Sequence, residues 1–273
     1  MSFYIKYIFI GLSYTLLLNY SLFAEEQDGV VEGRDTKGLS IDLVSEVKSV
    51  QPGKPFRVGL SIVHDKGFHT YWQNPGVVGM ATQIKWDLPE GFKASQIHWP
   101  YPELSKMADY PCFGYERDTL LYVIVTPPEE IKAKSLKFVA SANWMCCSST
   151  CHPGFKKFTL SLPVGEGEID QKMSELFKRA ECELPMTSEK MKAELISTGD
   201  DKKIAVRIIS KEKVEYVFNS DGQTTPDLSS SLKKISDDTW QYEAQRSEYG
   251  PKEVDEFPLV IKTTEGYVEL IAK

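Results

Sequence analysis

The chain is poor in the residues on which several common activities depend. Its 32 lysines and arginines are outnumbered by 39 aspartates and glutamates. No basic stripe is present to neutralise phosphates, which argues against nucleic acid as a ligand. There are only four histidines and no H-E-x-x-H, no G-x-S-x-G, no Walker A loop and no glycine fingerprint for a nicotinamide or flavin. Hydrolytic, phosphate-transfer and cofactor-borne chemistry therefore lack their usual sequence support, and no cofactor is expected. The C-x-x-C spacing of structural zinc sites is missing. No internal repeat or low-complexity tract stands out. Beyond residue 24 no apolar run reaches the roughly 20 residues that a membrane-spanning helix needs.

Residues 1–24 read as an export signal: Lys6 supplies a positive start, 7–18 is mostly apolar, and Leu22-Phe23-Ala24 precedes the acidic Glu25-Glu26. Cleavage after Ala24 is expected, the alternative being an uncleaved membrane anchor. No cysteine follows the apolar stretch, which argues against a lipoprotein. The mature protein is thus expected to be soluble and periplasmic, in an oxidising compartment where cysteines pair. Five cysteines are an odd number, so at least one thiol is free or pairs with a partner. The net charge of -7 is a solvation feature, and a 41% hydrophobic content supports a sizeable core.

Residues 25–38 are polar and expected to be disordered. Strand-like runs follow at 39–47, 56–63, 69–72, 84–88, 97–99, 120–125 and 136–142, separated by turn signals such as Gln51-Pro52-Gly53 and Pro89-Glu90-Gly91. Seven or more short strands predict an immunoglobulin-like antiparallel β-sandwich over 39–166. Ile169, Met173, Leu176, Phe177 and Ala180 recur at helical spacing and predict a helix over 168–182, within a helical linker at 167–189. Alternation returns at 191–195, 204–209, 214–218, 240–244, 257–261 and 267–271, which predicts a second, smaller β domain over 190–273. That domain carries no chemical signature.

Chemistry concentrates in Trp144-Met145-Cys146-Cys147-Ser148-Ser149-Thr150-Cys151-His152-Pro153, where three of the five cysteines fall within six residues. The run 136–142 leads in, and 155–162 leads out with Phe158, Leu160 and Leu162 alternating against Lys157, Thr159 and Ser161. The cluster therefore sits at a hairpin. A three-residue loop between Cys147 and Cys151 puts them opposite each other on neighbouring strands, within disulfide reach. The ring so closed is small and stabilises by only about 2 kcal/mol on the loop-entropy account. A reversible dithiol explains such a bridge better than a staple does, and the staple stays open as the alternative.

Four segments resemble the periplasmic N-terminal domain of DsbD-type and ScsB-type thiol:disulfide interchange proteins. Trp144, Cys147, Cys151 and Pro153 match its W-x-x-C-x-x-x-C-x-P hairpin. His69-Thr70-Tyr71-Trp72-Gln73-Asn74-Pro75-Gly76 is similar to its H-x-Y-W-x-N-P-G segment, Trp86-Asp87-Leu88-Pro89-Glu90-Gly91-Phe92 to its W-x-L-P-x-G-F segment, and Phe113-Gly114-Tyr115-Glu116 to its Y-G-Y-E-like loop. The likeness runs from about residue 41 to 164 and continues faintly beyond. It implies the immunoglobulin-like fold and a thiol-disulfide oxidoreductase component of the protein-disulfide reductase type. Cys147 and Cys151 would be its redox pair, with Cys151 forming the mixed disulfide and Cys147 resolving it. It also implies a cap over the pair, built from Asp109, Tyr110, Cys112, Phe113 and Tyr115, whose aromatic rings would shield the sulfurs. The family's transmembrane relay is not seen here. The expected partners are therefore a membrane-embedded thiol donor of electrons and a thioredoxin-like periplasmic acceptor.

Cys146 departs from the family pattern and points to the face opposite Cys147, as a small buried hydrophobe would. His152, next to Cys151, is a candidate modulator of a thiol pKa. Cys182 reads as structural or unpaired. Two other functions compete with thiol exchange: a soft-metal module, most plausibly for Cu(I), using Cys146, Cys147, Cys151 and His152, and an interaction domain stapled by the hairpin disulfide.

Overall fold

The computed structural model describes residues 37–228, 231–250 and 253–273. The export signal and most of the expected disordered segment lie outside the described residues. Ten strands come first: β1 (Leu39–Ser45), β2 (Phe56–His64), β3 (Thr70–Gly76), β4 (Gln83–Asp87), β5 (Lys93–Ala94), β6 (Glu103–Met107), β7 (Tyr110–Tyr115), β8 (Thr119–Thr126), β9 (Ser135–Cys147) and β10 (Cys151–Pro163). Helix α1 (Gln171–Cys182) leads to β11 (Met186–Thr187), β12 (Lys192–Ile196), β13 (Lys203–Ile209), β14 (Val214–Asn219), β15 (Leu232–Lys234), β16 (Thr239–Gln245), β17 (Phe257–Thr263) and β18 (Tyr267–Ala272). The architecture is the expected one: an immunoglobulin-like antiparallel sandwich, a short helix, and a second, smaller β sandwich.

In the first sandwich the sheet β1-β2-β8-β5 packs on the sheet β10-β9-β4. Val58, Val123 and Val125 meet Leu136, Phe138 and Leu162 between them, and Phe56 and Phe92 both touch Phe138 edge-on. Strand alternation makes this core, because only every second side chain turns inward. β8 breaks the pattern, with Leu120 to Val123 all buried. Its outer face is covered by Phe177 and Ala180 of α1, which pack on Leu120 and Tyr122. The helix starts at Gln171 rather than 168 because Asp170 caps it, its side chain accepting from Met173 N at 3.1 Å.

The C-terminal sandwich pairs the sheets β11-β18-β17-β14 and β12-β13-β16-β15. Val206, Ile208, Trp240, Phe257, Leu259 and Ile261 fill it. Strands β5, β11 and β15 escape sequence reading because two or three residues are too short to show alternation. The run 97–99 is not a strand and contributes only a single bridge between His98 and Tyr122.

A third sheet, β3-β7-β6, lies between the two sandwiches. Its two faces have different company. Trp72 and Phe113 turn toward Phe218, at ring separations of 6.3 and 5.0 Å, whereas Tyr71 and Cys112 cluster with Cys147. Tyr101 stacks on Tyr267 at 3.9 Å alongside this contact. What the sequence presents as the loop 109–115 is thus mainly a strand, half of the β6–β7 hairpin.

Candidate redox site

The β9–β10 hairpin pairs thirteen residues in unbroken register, from Ser135 with Pro163 to Cys147 with Cys151. Near its end Trp144 faces Gly154, where an added Cβ would stand 2.4 Å from the indole. Only glycine leaves that space, so the indole lies across the partner strand and stiffens the base of the turn. Ser148 N donates to Thr150 O at 3.0 Å within the three-residue loop. Cys147 and Cys151 stand with Cα atoms 4.1 Å apart and are joined by a disulfide.

The two sulfurs have unequal surroundings. Cys147 is fully buried and also bridges to the opposite side, where its N–H and carbonyl pair with those of His69 at 2.9 Å each. Cys151 is exposed. Around Cys147 gather Tyr71 and Cys112, with Val78, Met107 and Met145 partly buried beside them. The Tyr71 hydroxyl lies 3.9 Å from Cys151 Sγ and 3.3 Å from His69 Nε2. Burial pushes the Tyr71 phenol well above its usual pKa, helped by the neighbouring Cys112 and Cys146, so it stays protonated and able to donate. Burial lowers the His69 pKa, which keeps the imidazole neutral at ordinary pH.

The remaining candidates divide between the sulfurs and the core. Cys112 is buried in the same cluster as Cys147, and desolvation pushes its thiol up to about 11. Phe113 is turned to the other face instead, against Trp72, Tyr216 and Phe218. Tyr115 is buried and donates to Pro100 O at 2.8 Å. Asp109 and Tyr110 form the exposed tip of the β6–β7 hairpin. The ring whose hydroxyl reaches a sulfur is therefore Tyr71, not a ring of the expected cap. Cys146 points away from Cys147 into the core, where desolvation pushes it up to about 12. His152 lies 3.1 Å from Thr150 Oγ1 and beside Phe68. Cys182 is exposed at the end of α1.

Opposed side chains at Cys146 and Cys147 cannot converge on one ion, and no group of three metal-ligating side chains is assembled among the described residues. Tyr71 and His69 were not singled out as site residues by sequence. Their shared face follows from the period of two, but nothing local says that this face meets β9.

The profile of the family "Thiol:disulfide interchange protein DsbD, N-terminal" matches residues 42–163, which span all four motifs and the hairpin. This segment is a DsbD-type N-terminal domain. The fold likeness extends over the C-terminal sandwich as well. The N-terminal periplasmic domain of ScsB from Proteus mirabilis is similar over 87% of this chain and 94% of its own, with a TM-score of 0.62 at 15% identity. Tandem Ig repeats of Dlar (TM-score 0.21, 10% identity, 86% of this chain and 94% of theirs) and Spo0M of Bacillus subtilis (0.25, 8%, 86% and 89%) also match. No curated protein sequence matches the chain. The DsbD-type domain carries its disulfide at the far end of its longest hairpin, and among the described residues no helix is long and apolar enough to cross a membrane.

Proposed function

We propose that the protein is a periplasmic thiol-disulfide interchange module that carries two electrons at a time on Cys147 and Cys151. The observation that carries this reading is the asymmetry of the bond: Cys151 is open to an incoming sulfur while Cys147 is enclosed. A donor thiolate attacks Cys151 Sγ, breaking the Cys147–Cys151 bond and releasing the Cys147 thiolate, which takes up a proton. The donor's second thiolate then attacks the mixed disulfide and releases Cys151, so the pair gains two electrons and two protons. In the reverse direction the Cys151 thiolate attacks an acceptor's disulfide. Cys147 resolves the mixed disulfide, leaving the acceptor as a dithiol and the pair oxidised.

During either step the Tyr71 hydroxyl donates to sulfur at Cys151, with the His69 Nε2–H donating to the phenol oxygen. Such a bond to a thiolate is charge-assisted and favours the reduced, nucleophilic form. Residues 39–166 are the redox domain in this reading, 167–189 the linker and 190–273 a supporting domain. Residues 1–24 direct export. The partners are a membrane-embedded thiol donor and a thioredoxin-like periplasmic acceptor, and the β6–β7 hairpin, through Cys112 and Met107, shields Cys147 while leaving Cys151 open.

The test is a Cys147→Ser variant, which lacks the resolving thiol and should accumulate a mixed disulfide on Cys151 when exposed to periplasmic extract. Mass spectrometry should find thioredoxin-fold or membrane thiol proteins in that adduct. Capture of neither, together with tight Cu(I) binding by the wild-type cysteines, would replace thiol exchange with metal binding.

A further inference from the structure

The C-terminal sandwich carries no cysteine or histidine, yet it grips the strand that carries Tyr71. On β3, Asn74 is buried and its Nδ2 donates to Asn219 O of β14 at 2.7 Å, while its Oδ1 accepts from Gly76 N at 3.0 Å. Asn219 is itself held on three sides: its amide donates to Asp221 Oδ1 at 2.8 Å and to Pro258 O at 3.1 Å, and its Oδ1 accepts from Thr224 N at 3.3 Å. Pro226 closes over Gly76, where an added Cβ would lie 2.3 Å from Pro226 Cγ. Three residues on, Gly79 covers the Tyr71 ring so closely that a Cβ there would stand 2.1 Å from Tyr71 Cζ. Both glycines have positive φ, 92° and 84°, so the segment makes two turns that other residues resist. A continuous set of contacts therefore runs from Asn219 and Pro226 through Asn74, Gly76 and Gly79 to the Tyr71 hydroxyl and Cys151 Sγ.

We propose that Asn74 is a positioning residue through which the C-terminal sandwich seats the Tyr71 hydroxyl on Cys151, so that the second sandwich sets the reactivity of the redox pair. β3 makes no paired positions with β7 between the Tyr71–Gly114 and Gly76–Cys112 pairings, so the conformation of 72–75, Asn74 included, is not set by sheet hydrogen bonds alone. The amide of Asn74 replaces them, and its strand-side partner belongs to the other sandwich. Without that anchor the 76–79 turns are free to lift from the Tyr71 ring, and the hydroxyl loses its seat near the sulfur.

The inference rests on the thiol-exchange reading, and the experiment separates the two. Asn74→Ala, Tyr71→Phe and the double variant are prepared in a Cys182→Ser background to remove the exposed thiol. Two quantities are read at Cys151 by mass-spectrometric mapping: the pH dependence of alkylation after reduction, and the equilibrium with glutathione. Loss of one hydrogen bond to a thiolate should raise the midpoint of the alkylation profile by about one pH unit and shift the glutathione equilibrium about tenfold toward the disulfide. Asn74→Ala should reproduce the Tyr71→Phe shifts, and the double variant should add nothing to either. Wild-type profiles for Asn74→Ala, or shifts that add in the double variant, would overturn the proposal. A wild-type pair that never equilibrates with glutathione would overturn the exchange reading instead. Should Asn74→Ala fail to fold by circular dichroism, Pro226→Ala, made on the far side of the contact, takes its place: shifts matching those of Tyr71→Phe support the proposal, and wild-type profiles overturn it.

Discussion

In β17 of the C-terminal sandwich, Phe257, Leu259 and Ile261 alternate into a core of apolar side chains. In β9 of the N-terminal sandwich the same alternation carries Phe138, Ala140, Ala142, Trp144 and Cys146 inward, but the strand ends with Met145 and Cys147 against Tyr71 and Cys112 on its other face. Both strands obey the period of two, and one of them gains chemistry from the face that the core does not use. The difference teaches that a reactive pair can be added to a sandwich at a strand end without disturbing the core. Cys146 and Cys147, adjacent in sequence, show the contrast within two residues: one is an inert packing thiol and the other half of a disulfide.

The sharpest way to break this comparison is to damage the region without chemistry. Phe257→Ala empties a fully buried site and should cost about 3–5 kcal/mol in urea unfolding. Because the C-terminal sandwich meets its neighbour through the Tyr101–Tyr267, Trp72–Phe218 and Asn74–Asn219 contacts and not at the bridge itself, the disulfide should remain mapped to Cys147 and Cys151 in the folded fraction, and its loss there would refute this division.

The contrast among free thiols is next. Each unit of pKa elevation removes about tenfold of thiolate. Cys112 and Cys146, pushed up to about 11 and about 12, should therefore alkylate in the native state about 100-fold or more slowly than exposed Cys182. Peptide mapping of a time course with iodoacetamide at pH 8 checks this, and comparable rates for all three would refute the assigned burial.

Replacing both Cys147 and Cys151 by serine should lower stability by about 2 kcal/mol, since the loop it frees is short, while abolishing exchange altogether. A much larger loss in denaturant unfolding would make the bridge a staple after all.

The sandwich that holds the site should also be the acid-sensitive one. His64, His69 and His98 all lie in it, and burial lowers the pKa of each. Below an unfolded pKa of about 6.5 the unfolded chain takes up protons that the native one resists, so stability rises with pH through that range and falls as the medium is acidified. Urea titrations between pH 7 and pH 5 should show a declining midpoint, and replacing His64 and His98 by glutamine should flatten it. The smallest effect is at the junction of the two regions, where Asp170→Ala removes the α1 cap and should cost about 1 kcal/mol, without altering the thiols.

Alternation by twos, the cysteine spacing and the turn residues were enough to derive an all-β chain, a sandwich and a second, smaller β domain around a helix, a hairpin with Cys147 opposite Cys151, and Cys146 on the reverse face. Each of these depends on residues within a few positions of one another, where backbone geometry leaves little choice. Which sulfur is exposed, that Tyr71 and His69 reach the pair, that Phe113 turns from it, and that Asn74 is tied to Asn219 were settled only by tertiary structure. Those contacts join segments separated by 80 residues for Tyr71 with Cys151 and 145 for Asn74 with Asn219. The side-chain period says which residues share a face, but which partner that face meets depends on sheet order, a property of the whole chain.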